Sequence, residues 1–291
     1  MSEVNDFSLL TIPSSLQVGV RAHDLKCNTI RELIHKINRF SLQHIQFAAA
    51  KSFPQEVPTP LTLNYDQAQR YGRALKQAGI QIEVLGCYVN IVHSDKKKRA
   101  EAIDAFKLNL QLGSILGARM VGTETGSLGQ GYCEENFTAE AFTAVVEATK
   151  QLVEEAEKHN IIVGIEPGVN HPLYTAELAH ELVQKINSKH LKIILDCANL
   201  ITPSNYEEQT SLLEHAIALL DRAITVVHLK DFIIKEGKVV FVPVGEGILN
   251  FDPILNYMKY KRPNLVGLIE STPEASLAAS IRFLHERYDA L

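Results

Sequence analysis

Four short apolar runs in the second half of the chain each end in a residue able to bind a metal ion. They are Ile161-Ile-Val-Gly-Ile-Glu166, Lys192-Ile-Ile-Leu-Asp196, Ile224-Thr-Val-Val-His228 and Leu265-Val-Gly-Leu-Ile-Glu270. A carboxylate or imidazole after a continuous run of Val, Ile and Leu is costly inside a core. It is tolerable when the run is a buried parallel strand whose C-terminal end opens into a pocket. The four residues stand 30, 32 and 42 positions apart, room for one helix and its loops each time. The pattern predicts four successive strand–helix units that deliver Glu166, Asp196, His228 and Glu270 to one mouth.

The same rhythm runs upstream. Strands are expected over 16–21, 44–48, 81–86 and 119–124, with helical periodicity over 29–40, 66–78, 97–116 and 138–159. Later helices are expected over 175–186, 206–220, 252–260 and 274–288. Gly79 and Gly117 stand where a helix stops in the left-handed conformation. Eight strands alternating with eight helices imply an α/β chain with a parallel sheet, closed as a single (β/α)8 TIM barrel. One domain spans 1–291, with 1–15 as a lead-in and 274–291 as the closing helix. A doubly wound open sheet is the alternative, weakened by the lack of a Gly-x-Gly-x-x-Gly after the first strand.

The net charge of −5 and the absence of a basic patch beyond 96–99 argue against a nucleic-acid partner. Cys27, Cys87, Cys133 and Cys197 share no paired spacing, which suits a reducing compartment. No secretory leader or membrane-length apolar run is read, so a soluble, cytoplasmic protein without a membrane partner is expected.

In a barrel of this kind functional residues lie at the C-terminal ends of the strands. Here those ends carry His23, His93, Glu124, Glu166, Asp196, His228 and Glu270. Three carboxylates brought together repel one another unless a cation sits between them or their pKa values rise. One divalent ion removes the problem. Three oxygen donors and one imidazole suit Mn²⁺ best and admit Mg²⁺, Co²⁺ or Zn²⁺.

Glu-Pro after the fifth strand, Leu-Asp-x-x-Asn after the sixth, His-Leu-Lys-Asp after the seventh and Ile-Glu-Ser after the eighth resemble the xylose isomerase-like TIM-barrel superfamily. Within it they look like the sugar phosphate isomerase/epimerase branch. Val242-Pro-Val-Gly-Glu-Gly247 is similar to that branch's Gly-Glu-Gly turn. The resemblance implies a metal held by Glu166, Asp196, His228 and Glu270. It also implies that Glu166 and Glu270 exchange a proton next to a metal-bound carbonyl, as the matching residues do in ketose 3-epimerases. The alternative is that both glutamates only bind metal and another residue is the base.

Departures from the pattern narrow the chemistry. The zinc-dependent repair endonucleases of the superfamily carry a His where Asn199 stands and an Asp-x-His pair where this chain has Val239 and Phe241. A three-metal cluster is therefore not expected. The Arg that ketose 3-epimerases often place shortly after the strand-seven His is also missing.

His93, Glu124, His171, Asn199, Lys230 and Glu246 are the candidates for touching substrate. Lys230 offers a cation for an oxyanion or carboxylate, or else a rim salt bridge to Asp231 or Glu246. The glycine-rich loop over 126–131 offers backbone N–H groups for a phosphate, or else serves as a lid. Cys197 reads as packing.

The expected function is a divalent-metal-dependent isomerase or epimerase of a small sugar, sugar phosphate or polyol. An inosose-type dehydratase and a catalytically silent sugar-binding barrel are the alternatives. A homodimer or homotetramer is expected by analogy alone.

Overall fold

The computed structural model describes residues 15–129, 131 and 133–291. The expected lead-in over 1–15 lies almost wholly outside the described residues, as do Gln130 and Tyr132 of the glycine-rich loop.

Eight apolar runs pair side by side as parallel strands and close on themselves. They are β1 (Gln17–Arg21), β2 (His44–Phe47), β3 (Gln81–Gly86), β4 (Met120–Glu124), β5 (Ile162–Glu166), β6 (Leu191–Asp196), β7 (Ile224–Leu229) and β10 (Val266–Ile269). β10 pairs with both β7 and β1, which shuts the barrel. Two further strands, β8 (Asp231–Lys235) and β9 (Lys238–Val242), form an antiparallel hairpin after β7.

The outer ring is α1 (Ile30–Arg39), α3 (Tyr65–Gln77), α4 (Lys96–Leu116), α5 (Ala139–His159), α6 (Ala176–Ile186), α7 (Gln209–Leu220), α8 (Asp252–Asn256) and α9 (Glu274–Ala290). Local chemistry sets its boundaries. The hydroxyls of Thr29, Thr138 and Thr175 each accept the backbone N–H three residues on, capping α1, α5 and α6. Gly117 ends α4 at φ +74°, and Asn160 and Asn187 end α5 and α6 in the same left-handed region. Among the described residues no helix is long and apolar enough to cross a membrane.

Four expectations change in detail. The β8–β9 hairpin is an addition to the expected alternation of strands and helices. The loop after β2 holds a short helix, α2 (Ala49–Ser52), and a 3-10 turn, Pro60–Thr62. The helix expected over 206–220 begins as a 3-10 turn, Tyr206–Glu208, because Asn205 and Glu208 supply no side-chain cap. The helix expected over 252–260 stops being α-helical at Asn256 and widens into a π-turn, Tyr257–Lys261.

The barrel interior is layered. A mid-level cluster of Val84, Met120, Ile194, Val226, Val266 and Leu268 fills it, distinct from the larger core between strands and helices. Gly122 and Gly164 make room for that cluster. A Cβ at Gly122 would lie 2.6 Å from Val84 Cγ1 and 2.7 Å from Ile194 Cδ1. Gly122→Ala should therefore destabilise the protein by about 1–3 kcal/mol, the usual range for overpacking, measurable by urea unfolding.

Below this layer Glu83, the extra residue of a bulge between β2 and β3, is buried. His44 Nδ1 lies 2.7 Å from one of its oxygens and Arg119 Nη1 3.2 Å from the other. Burial works to raise the Glu83 pKa, but His44 and Arg119 outweigh it and hold it below the ordinary 4.5. A depressed native pKa contributes stability that is present above the unfolded value and lost as pH falls through the native one. The stability advantage of the natural chain over Glu83→Gln should accordingly shrink below about pH 4.5, as followed by thermal melts across acid pH.

Candidate metal centre and active site

At the C-terminal mouth the inward-facing positions are polar in seven of the eight strands. Arg21 ends β1, Gln46 lies near the end of β2, and Glu124, Glu166 and Asp196 end β4, β5 and β6. His228 is next to last in β7, and Glu270 follows β10 directly. Register places Glu124 beside Glu166 and Asp196 beside His228. The inward parity of these strands carries apolar residues up to the mouth and polar ones at its rim.

Glu166, Asp196 and His228 form the tightest group, with one ligand atom from each lying within 4.8 Å of the others. Around His228 Nδ1 stand Glu166 Oε2 at 3.2 Å, Glu270 Oε1 at 3.5 Å and Asp196 Oδ2 at 4.0 Å. Glu270 closes the fourth side but is also drawn outward. Its carboxylate accepts from Arg21 Nη1 at 3.0 Å and Gln46 Nε2 at 3.0 Å, and Lys230 Nζ lies 3.2 Å away. All four side chains are buried, at 0–4% exposure.

The sequence around Asp196 explains how it points. Its Oδ1 accepts the backbone N–H groups of Ala198 and Asn199 at 2.8 and 3.0 Å, an Asx-type turn that the Asp-Cys-Ala-Asn order builds. Oδ2 is thereby turned into the mouth, where it has no hydrogen bond and only the charge contact of Lys230 at 2.6 Å. His228 Nδ1 likewise has no hydrogen bond, despite three carboxylates around it. Two buried ligand atoms that face one space and make charge contacts without a well-aligned hydrogen bond suit a cation site.

The charge balance agrees. Asp24, Glu166, Asp196 and Glu270 carry more negative charge than Arg21 and Lys230 offset, and a protonated His228 makes up only part of the difference. A divalent ion suits that excess, and the donor set of carboxylate oxygens and one imidazole fits it. Glu166, Asp196 and His228 could hold it, with Glu270 beside them.

Electrostatics separate the two glutamates. Burial pushes Glu166 up to about 7 even though His228 opposes the rise. Burial also disfavours the Glu270 carboxylate, but His228, Lys230 and Arg21 outweigh it and hold that group down to about 2. His228 is raised to about 9 because Glu270 and Glu166 overcome the cost of burying its charge.

Backbone strain sits beside Glu270. Ser271 takes φ +53°, an unfavourable region for a residue with a Cβ. Asp24 fixes it there by accepting the Ser271 N–H at 3.0 Å, while Arg21 grips Asp24 through Nε and Nη2 at 3.0 and 2.9 Å. The start of the chain thus sets the angle of a glutamate near its end.

The expected substrate contacts divide. Asn199 joins the centre, its amide donating to Glu166 Oε1 at 2.6 Å and accepting from Lys230 Nζ at 3.1 Å. Lys230 is buried within the acid cluster. The alternative of a rim salt bridge to Asp231 or Glu246 gives way to contacts with Asp196 and Glu270, which offer a denser negative field. Asp231 is instead spent on backbone, accepting from the N–H groups of Phe232, Gly245, Gly247 and Leu249.

Glu124 is half-buried beside Glu166. His93 sits in the β3 loop, where its Nδ1 accepts the Asp95 N–H at 3.0 Å. His171 ties the β5 loop to the β4 loop through Nδ1 and Gly126 O at 2.9 Å. Glu246 is exposed on its turn.

Contacts bear on two further readings. The N–H groups of Ser127, Leu128 and Gly129 are already used, by Asn90 Oδ1, Asn136 Oδ1 and Ser127 Oγ. That part of the glycine-rich loop therefore has no free cradle for phosphate. Cys197 is fully buried with its thiol pKa pushed well up, which fits packing.

Sequence reasoning missed Arg21, Gln46 and Tyr88. The only signal was an inward-facing polar residue in or just after an otherwise apolar strand. Gln46 in His44-Ile-Gln-Phe47 is the clearest case.

A sequence model for the family described as xylose isomerase-like TIM barrel matches residues 36–287. The chain belongs to that family. No curated protein matches its sequence. Among solved structures it is similar to 3-keto-D-glucoside 4-epimerase, YcjR, from E. coli, at 14% identity and a TM-score of 0.73, over 93% of this chain and 99% of that one. It is also similar to the probable 3-DHS dehydratase AsbF involved in petrobactin synthesis from Bacillus anthracis, at 17% identity and 0.72, over 92% and 98%. A third is the IOLI protein with a binding zinc atom, at 17% identity and 0.72, over 94% and 99%. At such identities the likeness establishes the fold.

Proposed function

We propose that this protein is a divalent-metal-dependent isomerase or epimerase of a small sugar, sugar acid or polyol. The observation that carries the reading is the buried Glu166–Asp196–His228 group with Glu270 beside it, whose Asp196 Oδ2 and His228 Nδ1 face one space without a hydrogen bond. Mn²⁺ is the preferred ion. When bound, such an ion polarises a substrate carbonyl and its neighbouring hydroxyl and so acidifies the C–H between them.

The chain's own residues do the rest. Glu166 and Glu270 approach that carbon from opposite sides, one removing the proton and the other returning one. Asn199 holds Glu166, while Arg21 and Gln46 hold Glu270, so neither carboxylate is free to rotate away. Lys230 faces oxyanion charge that builds on the substrate. Glu124, His93 and His171 stand on the β4, β3 and β5 sides of the mouth, where polyol hydroxyls need partners. The engaged N–H groups of the glycine-rich loop favour an unphosphorylated substrate.

The alternative of an inosose-type dehydratase begins with the same proton removal. It draws support from the Lys230 ammonium beside Glu270, a fixed cation able to stabilise the charge of a departing hydroxyl. A panel of ketoses, sugar acids and inososes in D₂O with Mn²⁺ tests both readings. Deuterium entering the α-carbon with stereoinversion or carbonyl migration supports the isomerase. Water loss with a new ultraviolet-absorbing enone supports the dehydratase. Tight ligand binding without deuterium uptake would leave only a sugar-binding barrel.

A further inference from the structure

We propose that Gln46 is the positioning residue of the metal centre, selecting which nitrogen of His228 faces the ion and fixing Glu270 in the same stroke. This role presupposes the metal-binding reading above. Gln46 is 1% exposed on β2, across the mouth from the ligands, and is 182 and 224 residues distant in sequence from the two groups it joins.

Hydrogen-bond polarity fixes its orientation. The Glu270 carboxylate can only accept, so the amide nitrogen of Gln46 must face it, at 3.0 Å. The amide oxygen then faces His228 Nε2 at 2.7 Å. Two acceptors at that distance would repel, so Nε2 must carry a proton. That leaves Nδ1, the nitrogen with no hydrogen bond and three carboxylates around it, as the metal-facing atom. The Tyr88 hydroxyl also meets the Gln46 amide nitrogen and restrains it. A metal-bound imidazole commonly relies on such a partner for tautomer and ring orientation.

The substitutions separate the two duties. Gln46→Leu keeps most of the volume and removes both. Gln46→Glu keeps an acceptor for Nε2–H but offers no donor to Glu270 and repels it.

The test uses the full chain labelled with ¹⁵N-histidine, stripped of metal and titrated with ¹¹³Cd²⁺. In the natural protein the expected signature is a cadmium coupling to His228 Nδ1 with a retained Nε2–H. Gln46→Leu should weaken cadmium binding about 10–100-fold and split the His228 signal between the two nitrogens. Gln46→Glu should keep the Nδ1 signature while kcat falls.

A Gln46→Leu protein with lowered melting temperature but unchanged cadmium affinity and an unchanged Nδ1 signature would overturn the role. So would coupling to Nε2 in the natural protein. Absence of any cadmium binding by the natural chain, seen before any variant is made, would bring down the metal reading itself.

Discussion

Glu270→Gln is expected to leave a folded barrel whose turnover drops by about 10²–10⁴-fold, the range lost with a positioned acid–base group. Gln matches the shape of Glu and keeps one acceptor oxygen, enough for Arg21, which donates to Oε2, or for Gln46, which donates to Oε1, but not for both. What it cannot do is carry a proton. The variant separates the two roles open to Glu270, because a pure ligand would show its loss in metal affinity and recover at saturating metal. An acid–base group would not recover. With one epimer as substrate, Glu270→Gln should still exchange the α-proton with solvent through Glu166 while failing to invert the centre. Near-natural activity would rule out the two-glutamate mechanism.

Asp231→Ala is expected to cost about 3–5 kcal/mol of stability, since it strips the partner from several buried N–H groups at once. Both carboxylate oxygens of Asp231 are used. Oδ1 accepts from Phe232 and Leu249, and Oδ2 from Gly245 and Gly247. The close approach requires Gly247, where a Cβ would lie 2.2 Å from Asp231 Oδ1. Asp231 thus pins the Gly-Glu-Gly turn to the root of the β8–β9 hairpin. Its neighbour Lys230 enters the acid cluster, and the Phe241 ring of that hairpin lies 4.8 Å from the Lys230 ammonium. Loss of the clamp should appear in urea unfolding as a lower midpoint and in kinetics as a raised KM.

The strand ends were legible because a charged or imidazole side chain at the end of an apolar run has few interpretations. Glu166, Asp196, His228 and Glu270 meet at the mouth as their spacing implied. Arg21 and Gln46 were not legible, because what they do depends on partners more than 180 positions away. No local pattern carries that information. Lys230 was seen as a cation near the mouth, but its partners were assigned by proximity in sequence. The collected field of Asp196 and Glu270, visible only once the barrel closes, decides where it goes.

The hairpin did carry a local signal that went unread. Glu236 and Gly237 both have positive φ, the two-residue turn that joins antiparallel strands, between β-branched and aromatic runs at 231–235 and 238–242. A Glu at the first turn position is uncommon, which weakened the signature. Ser127, Leu128 and Gly129 offer no free N–H group to a phosphate for a different reason. Glycine marks where backbone bends, but Asn90 and Asn136, elsewhere in the chain, decide whether the N–H groups exposed by that bend stay free.

The measurement that bears most directly on the whole account is Mn²⁺ titration of the chelator-stripped protein, with Asp196→Asn and His228→Ala run alongside. The account predicts about one equivalent bound by the natural chain and none by either variant. A natural chain that binds no divalent ion, or variants that bind it as tightly, would contradict it.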